Sequence, residues 1–254
     1  MNRIISISNH KGGVGKTTSV VNIGAGLAKH GRKVLLIDLD PQANLTISYG
    51  LSESEKHIYD AYSNGNGLEP IHIRENIDII PASSNLAIAE IELKSKDNDE
   101  NSIARLINPL KSQYDYIIID CPPSLGLLTL NAFAASDEVI IPIQPHYLAI
   151  KGLAKIIEVV NNIKVNVNRR VEISGVFVTM FDKRKILHKD VLDTIIMYFD
   201  DRVFKTKVRT NIALAEAPAV GQDIFQYDPG SNGAYDYSRI VQEVIDMESK
   251  FGNK

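Results

Sequence analysis

Asn9-His10-Lys11-Gly12-Gly13-Val14-Gly15-Lys16-Thr17-Thr18 is the stretch on which the fold turns. Upstream of it, Arg3-Ile4-Ile5-Ser6-Ile7-Ser8 is apolar and β-branched enough for a buried strand. Downstream, between Ser19 and His30, the residues Val20, Ile23, Leu27 and Ala28 recur at helical spacing. Glycines at a strand-to-helix junction let backbone N–H groups turn toward an anion, and the helix N-terminus adds partial positive charge. Lys16 then reaches β- and γ-phosphates and the Thr17 hydroxyl binds Mg²⁺, within a cradle formed by Gly12, Gly13, Val14, Gly15 and Thr18. The loop departs from the common phosphate-loop pattern twice. His10 stands where a glycine is usual, five positions before Gly15, and a second lysine, Lys11, opens the glycine run. A lysine at the mouth of such a loop points outward and is better placed for phosphates bound by a second copy of the chain than for its own.

Two further segments agree with a nucleotide site. Val34-Leu35-Leu36-Ile37-Asp38-Leu39-Asp40 is a solid apolar run ending in carboxylates, the pattern of a buried parallel strand with function at its C-terminal end. Asp38 and Asp40, two apart, project to the same side of an extended chain. Beside a Mg-nucleotide one of them can hold the metal's water shell and the other can orient the attacking water. Tyr116-Ile117-Ile118-Ile119-Asp120-Cys121-Pro122-Pro123 is a second aliphatic strand, ending in a metal-side carboxylate at Asp120 and followed by two prolines that stiffen the next loop.

Together, Lys-Gly-Gly-Val-Gly-Lys-Thr-Thr at 11–18, Asp-Leu-Asp-Pro-Gln-Ala-Asn-Leu-Thr at 38–46 and Asp-Cys-Pro-Pro-Ser-Leu-Gly-Leu-Leu-Thr at 120–129 resemble the ParA/Soj family of DNA-partitioning ATPases, a deviant Walker A group that also contains MinD-like proteins. Glu216-Ala217-Pro218, Gly221 and Tyr227 to Ala234 resemble the family's C-terminal block, so the likeness spans nearly the whole sequence. It implies ATP and Mg²⁺ as cofactors, with Thr17, Asp38 and Asp120 on the metal side and Lys11, Lys16 and Asp40 catalytic. It also implies a nucleotide-dependent homodimer, nonspecific double-stranded DNA as a partner, a ParB-like centromere-binding protein that stimulates hydrolysis, and a cytoplasmic, nucleoid-associated location. The segment Val208-Arg209-Thr210-Asn211 matches the place where the family contacts the adenine end of the nucleotide, which makes Asn211 and Arg209 candidate nucleotide contacts. Arg209 occupies a position where many relatives carry proline, and either nucleotide or DNA suits it.

Composition sets the outer limits. The chain has 254 residues with 44% hydrophobic content, enough to bury a full core in a single α/β domain over 1–254. Net charge is −3, so any nucleic-acid contact comes from a local patch. Lys183, Arg184, Lys185, Lys189, Lys205 and Lys207 form a cationic stretch interrupted by acids. By composition it reads equally as a solvated face; the family resemblance turns it into a candidate phosphate-backbone surface, with Arg184 foremost. No aromatics interleave with these residues, which favours duplex backbone contact over base stacking.

A single cysteine, Cys121, excludes an intrachain disulfide and a cysteine-ligated iron–sulfur centre. It reads as a small packing residue, and His10 as a neutral hydrogen-bonding one. Ser124 has no histidine at motif spacing, which excludes a serine hydrolase. The sequence shows no signal peptide or transmembrane run. With the first strand at Arg3, no operator-binding helix-turn-helix is expected ahead of it. The tail from Ile240 to Phe251 is acidic on its polar face, against a MinD-like membrane helix. A ParA-like ATPase that positions another cargo shares the same chemistry and stays open.

Strand patterns near 3–8, 33–38, 77–80, 115–120, 138–142, 171–178 and 203–209 alternate with helical runs at 85–94, 101–112, 124–135, 149–163, 187–199 and 236–252. That alternation predicts a doubly wound, mostly parallel sheet with helices on both faces, of the P-loop NTPase type.

Overall fold

A computed structural model describes residues 2–51, 56–64, 67–89 and 99–251. Seven strands form one sheet in the order β3-β4-β2-β5-β1-β6-β7. They are β1 (Arg3–Ile7), β2 (Val34–Asp38), β3 (Ile71–Arg74), β4 (Ile77–Ile80), β5 (Tyr116–Asp120), β6 (Glu138–Ile143) and β7 (Glu172–Val178). Every pairing is parallel except β3 with β4. Strands buried on both faces need apolar residues at consecutive positions, and β1, β2, β5 and β6 are buried at every residue.

Alternate residues of these strands feed two apolar layers. Ile4, Leu35, Ile37, Ile117 and Ile119 lie in one, and Ile5, Ile7, Leu36, Ile79 and Ile118 in the other. The second layer is closed by α1 (Lys16–Lys29) and by the C-terminal helix Asn232–Asp246, which touch closely enough that a Cβ on Gly26 would sit 2.4 Å from Val241 Cγ2. The first layer is closed by helices including Leu127–Ala135, Ala149–Asn166 and Ile186–Phe199.

Several boundaries differ from the sequence pattern, each for a local reason. The 101–112 run is an α-helix only over Ser102–Ile107 and continues as a 3₁₀ segment to Gln113, because Pro109 removes an amide donor. The run at 85–94 is helical at 86–89, Asn85 lies in the preceding turn, and 90–94 fall outside the described residues. The short antiparallel β3 has no sequence counterpart above, since Ile71-His72-Ile73-Arg74 is only half-buried at the sheet edge.

The segment 203–209 is not a strand. It touches the sheet edge through isolated parallel bridges, Val176 with Val203 and Phe181 with Arg209. Phe204 N donates to Val176 O (2.9 Å) and Val208 N to Val178 O (2.8 Å). Between them, the amides of Lys205 and Thr206 turn away to the Glu243 carboxylate at 2.7 and 2.9 Å. The anchor of this segment is Phe204, whose ring lies over Gly175, where a Cβ would stand 2.2 Å from Phe204 Cε1. Gly175→Ala is therefore expected to lower the unfolding free energy by about 1–3 kcal/mol through overpacking. Urea denaturation checks this, and an unchanged midpoint would contradict it.

Candidate active site

The site lies at the carboxyl ends of β1, β2 and β5, where open α/β sheets bind ligands. Parallel register sets Asp38 opposite Asp120 and Asp120 opposite Ile7, so the three strand ends are level. The chain leaves β1 into the glycine loop and enters α1 at Lys16. Gly13 (φ 71°) and Gly15 (φ 90°) are left-handed there, a conformation that favours glycine, just ahead of the N-terminus of α1.

The loop is braced from three distant elements. Asn9 Nδ2 donates to Pro142 O at 2.7 Å, while Asn9 Oδ1 accepts from Lys11 N at 2.9 Å. Thr179 Oγ1 donates to Val14 O at 2.8 Å. Ser19 Oγ donates to Gly15 O at 2.6 Å and lies 3.0 Å from the Tyr237 hydroxyl, which ties the loop to the C-terminal helix. Thr179 and Tyr237 have no sequence signal, because they reach the loop only through the tertiary fold.

The two lysines differ in kind. Lys16 is 7% exposed, and its Nζ donates to Lys11 O at 3.3 Å across the loop. Burial lowers its pKa, opposed by the nearby Asp120, Cys121 and Asp40. Lys11 is exposed, and its Nζ points out to Gln144 Oε1 at 3.2 Å, beyond the end of β6. His10 beside it is also exposed.

The carboxylates form a buried group. Asp38 accepts from Thr46 N (2.9 Å) and Thr46 Oγ1 (2.8 Å) at Oδ2, and from Asp40 N (3.0 Å) at Oδ1. Burial pushes its pKa up to about 6 in spite of these donors, with the Asp40 charge adding to the rise. Asp120 accepts from Thr17 Oγ1 at 2.6 Å through Oδ2, whereas its Oδ1 is buried with no partner. Its pKa is raised well above the usual carboxylate range, first by burial and then by Asp38, against the lowering effect of the Thr17 hydrogen bond and Lys16. Asp40 is also buried, with Oδ1 accepting from Gln42 N at 3.0 Å. Cys121 is fully buried, and burial takes its thiol to about 12, so it stays protonated.

Among the described residues no three His, Cys, Asp or Glu side chains gather into a metal cage. Mg²⁺ fits this site nonetheless, because that ion keeps water and phosphate ligands and asks the protein for few oxygens. The Thr17 hydroxyl and the orphaned Asp120 Oδ1 are suitable ones, while both oxygens of Asp38 already accept hydrogen bonds.

The other candidates divide. Asn211 Oδ1 accepts from Ala213 N at 2.8 Å, which leaves the amide NH₂ as the end available to a base. Arg209 forms a bidentate pair with the buried Asp236, its Nε at 2.9 Å from Oδ2 and Nη2 at 2.7 Å from Oδ1. Lys183, Arg184 and Lys207 line one cleft of about 610 Å³, together with Arg209 and with Arg239, which the sequence reading missed. Lys185, Lys189 and Lys205 lie outside that lining. Arg184 chelates its neighbour Asp182 through Nε (3.0 Å) and Nη2 (2.9 Å) while remaining solvent-exposed.

Known proteins match this arrangement along most of its length. A family model described as an AAA domain matches residues 2–173. The sporulation initiation inhibitor protein Soj of Bacillus subtilis is 45% identical over 249 residues, covering 96% of this chain and 98% of its own length. The chromosome partitioning protein ParA of Myxococcus xanthus is 40% identical, covering 97% and 89% respectively. The chain belongs to the Soj/ParA family of ATPases. Among solved structures, cobyrinic acid a,c-diamide synthase of Mycobacterium smegmatis with bound ATP analogue and magnesium superposes with a TM-score of 0.84 at 30% identity, covering 98% of this chain and 96% of that one. The mostly parallel P-loop architecture expected from the sequence is the one observed, and the family expected from the three motifs is the one found.

The raised pKa of Asp120 carries a sign that can be tested. A carboxyl whose folded pKa lies above its unfolded value binds its proton more tightly when folded, so ionising it weakens the fold. Asp120→Asn should therefore melt higher than the parent chain at pH 7.5 without ligand, and the gap should shrink as pH falls through the Asp120 titration. Addition of Mg²⁺ and nucleotide should reverse the order. A lower melting temperature for Asp120→Asn at pH 7.5 without ligand would contradict this reading.

Proposed function

We propose that this chain is a Mg²⁺-dependent ATPase whose ATP-bound state is a homodimer that holds DNA without sequence preference and serves partitioning. The observation that carries the reading is the contrast between the lysines: Lys16 is buried against its own carboxylates, and Lys11 is extended into solvent. The amides of Gly12 to Thr18 would cradle the phosphates, with Lys16 on the β- and γ-phosphates. Mg²⁺, held on the protein side by Thr17 and Asp120, would neutralise phosphate charge. Asp38, with both oxygens already accepting hydrogen bonds, would act on the metal's water shell through its remaining lone pair. Asp40 would orient the attacking water. Lys11 would cross to the partner's phosphates and offset the charge that develops there, as an arginine finger does in other nucleotide hydrolases. Asn211 would meet the adenine edge, and the Arg209–Asp236 pair would hold that loop in place.

DNA would lie on the cleft bounded by Lys183, Arg184, Lys207, Arg209 and Arg239, whose five cations outnumber the carboxylates Asp182 and Asp236. Dimerisation would join two such clefts and strengthen binding by simultaneous engagement. A ParB-like protein would be the stimulating partner.

The MinD-like alternative is disfavoured by packing. The apolar face of the C-terminal helix, including Ile240, Val241 and Val244, is buried against α1 and is not available to a bilayer. No helix among the described residues is long and apolar enough to cross a membrane.

Two experiments test the proposal. Lys16→Ala should abolish ATP binding. Lys11→Ala should bind ATP yet fail to dimerise, and Asp40→Ala should accumulate as a long-lived dimer in size-exclusion chromatography with ATP and Mg²⁺. Dimerisation of Lys11→Ala like the parent chain would sink the cross-subunit role. In mobility-shift assays with unrelated duplexes, binding should require ATP and fall with salt, at a log–log slope of about −0.9 per phosphate contacted. Arg184→Glu should weaken all duplexes alike, and equal binding with ADP and ATP would break the proposed link to dimerisation.

A further inference from the structure

The Asp38–Asp40 loop is held by a directional hydrogen-bond relay whose centre is Thr46. Thr46 is 2% exposed and lies in the short helix Asn44–Ser48 that follows the loop. Its Oγ1 is 3.0 Å from the amide nitrogen of Ala82, just beyond β4, and 2.8 Å from Asp38 Oδ2. The direction of both bonds is forced. An amide N–H can only donate, so the hydroxyl accepts from Ala82 and its single proton is committed to Asp38.

Thr46 N adds a second bond to the same oxygen at 2.9 Å. The other oxygen, Oδ1, receives the amide of Asp40 at 3.0 Å. The position of Asp40 is thus tied to the orientation of the Asp38 carboxylate, and that orientation to Thr46 and the end of β4. The next turn contains Ala43 in the left-handed region (φ 52°), a conformation that an L-residue holds only when its surroundings fix it.

We infer that Thr46 is a positioning residue for ATP hydrolysis: its hydroxyl fixes the Asp38 carboxylate and, through it, the loop that presents Asp40 to the attacking water. The inference rests on the ATPase reading above and adds a residue to it. With its hydroxyl bonded to Asp38 and to the Ala82 amide, Thr46 acts through Asp38. The hydroxyl, not the size of the side chain, is what the relay requires. Serine can therefore serve, and valine, of the same shape, cannot.

The test is steady-state hydrolysis by the full chain with ATP and Mg²⁺, alongside equilibrium binding of a fluorescent ATP analogue and thermal melting. Thr46→Val should lower kcat about tenfold to a hundredfold, the loss expected for a hydrogen bond to a charged group. Binding of the analogue should change by less than about twofold, as for an interaction that matters to the chemical step. Thr46→Ser should retain kcat within about twofold of the parent chain. In an Asp38→Ala background, where no acceptor is left for the Thr46 hydroxyl, Thr46→Val should add no further loss, because coupled residues are non-additive. A parent-like kcat for Thr46→Val, an equal fall for Thr46→Ser, or a full additional loss on Asp38→Ala would each overturn the inference. If Thr46→Val does not fold, Thr46→Ala takes its place as the variant without a hydroxyl and is read against Thr46→Ser. Failure of the parent chain to hydrolyse ATP would instead overturn the ATPase reading.

Discussion

The buried ammonium of Lys16 is the constraint around which the carboxyl edge of the sheet is built. A cation in that position is unfavourable unless charges and hydrogen-bond acceptors surround it. Asp120 and Asp40 supply the charges, and the backbone carbonyl of Lys11 receives one of its protons. The carboxylates are themselves crowded, since Asp38 and Asp120 face each other in register and the Asp38 charge makes Asp120 harder to ionise. One lysine among three buried acids leaves an excess of negative charge and an unpaired Asp120 Oδ1. The double positive charge of a magnesium ion would offset that excess.

Phosphate sites of this kind depend on rigid supports, and here the supports come from far along the chain. Val14 is held by Thr179, Asn9 by Pro142, and Ser19 by Tyr237. These bonds connect the loop to the end of β7, to β6 and to the C-terminal helix. The same end of β7 carries Phe181, whose amide bonds Val208 O at 3.0 Å. The segment at 208–211, the basic cleft and the phosphate loop are therefore anchored to one strand end. A change in one has a short physical route to the others.

The sequence disclosed the parts of this arrangement that follow from local periodicity and from contiguous motifs. Consecutive apolar residues announced β1, β2 and β5, and the acids at their ends announced the site, because a parallel strand buried on both faces leaves only its end for polar chemistry. Segments whose state is set by tertiary contacts were less legible. Residues 203–209 have the composition of a strand, yet Glu243 captures two of their amides and leaves isolated bridges. Arg239 sits on a helix that reads as an amphipathic tail, and only the fold brings it to the basic cleft. Lys185, Lys189 and Lys205 share a charge pattern with Lys183, Arg184 and Lys207, but charge runs do not reveal which side of the chain they face. Thr46 lay inside a motif without an evident task until Asp38 and Ala82 were seen on either side of its hydroxyl.

The central claim is that the site of one subunit is completed by Lys11 of another, and mixing inactive variants tests it most directly. Lys11→Ala and Asp40→Ala chains are each expected to be deficient in hydrolysis. A mixed dimer, formed by adding ATP to the premixed chains, keeps one of the two Lys11 contacts that a Lys11→Ala homodimer lacks altogether; in it the nucleotide bound to the Lys11→Ala subunit retains its own Asp40 and receives an intact Lys11 from the Asp40→Ala partner. The account predicts that mixing the two restores phosphate release above either variant alone. If Lys11 serves only its own subunit, neither site in the mixed dimer is complete, and phosphate release from the mixture that stays at the level of the separate variants would contradict the account.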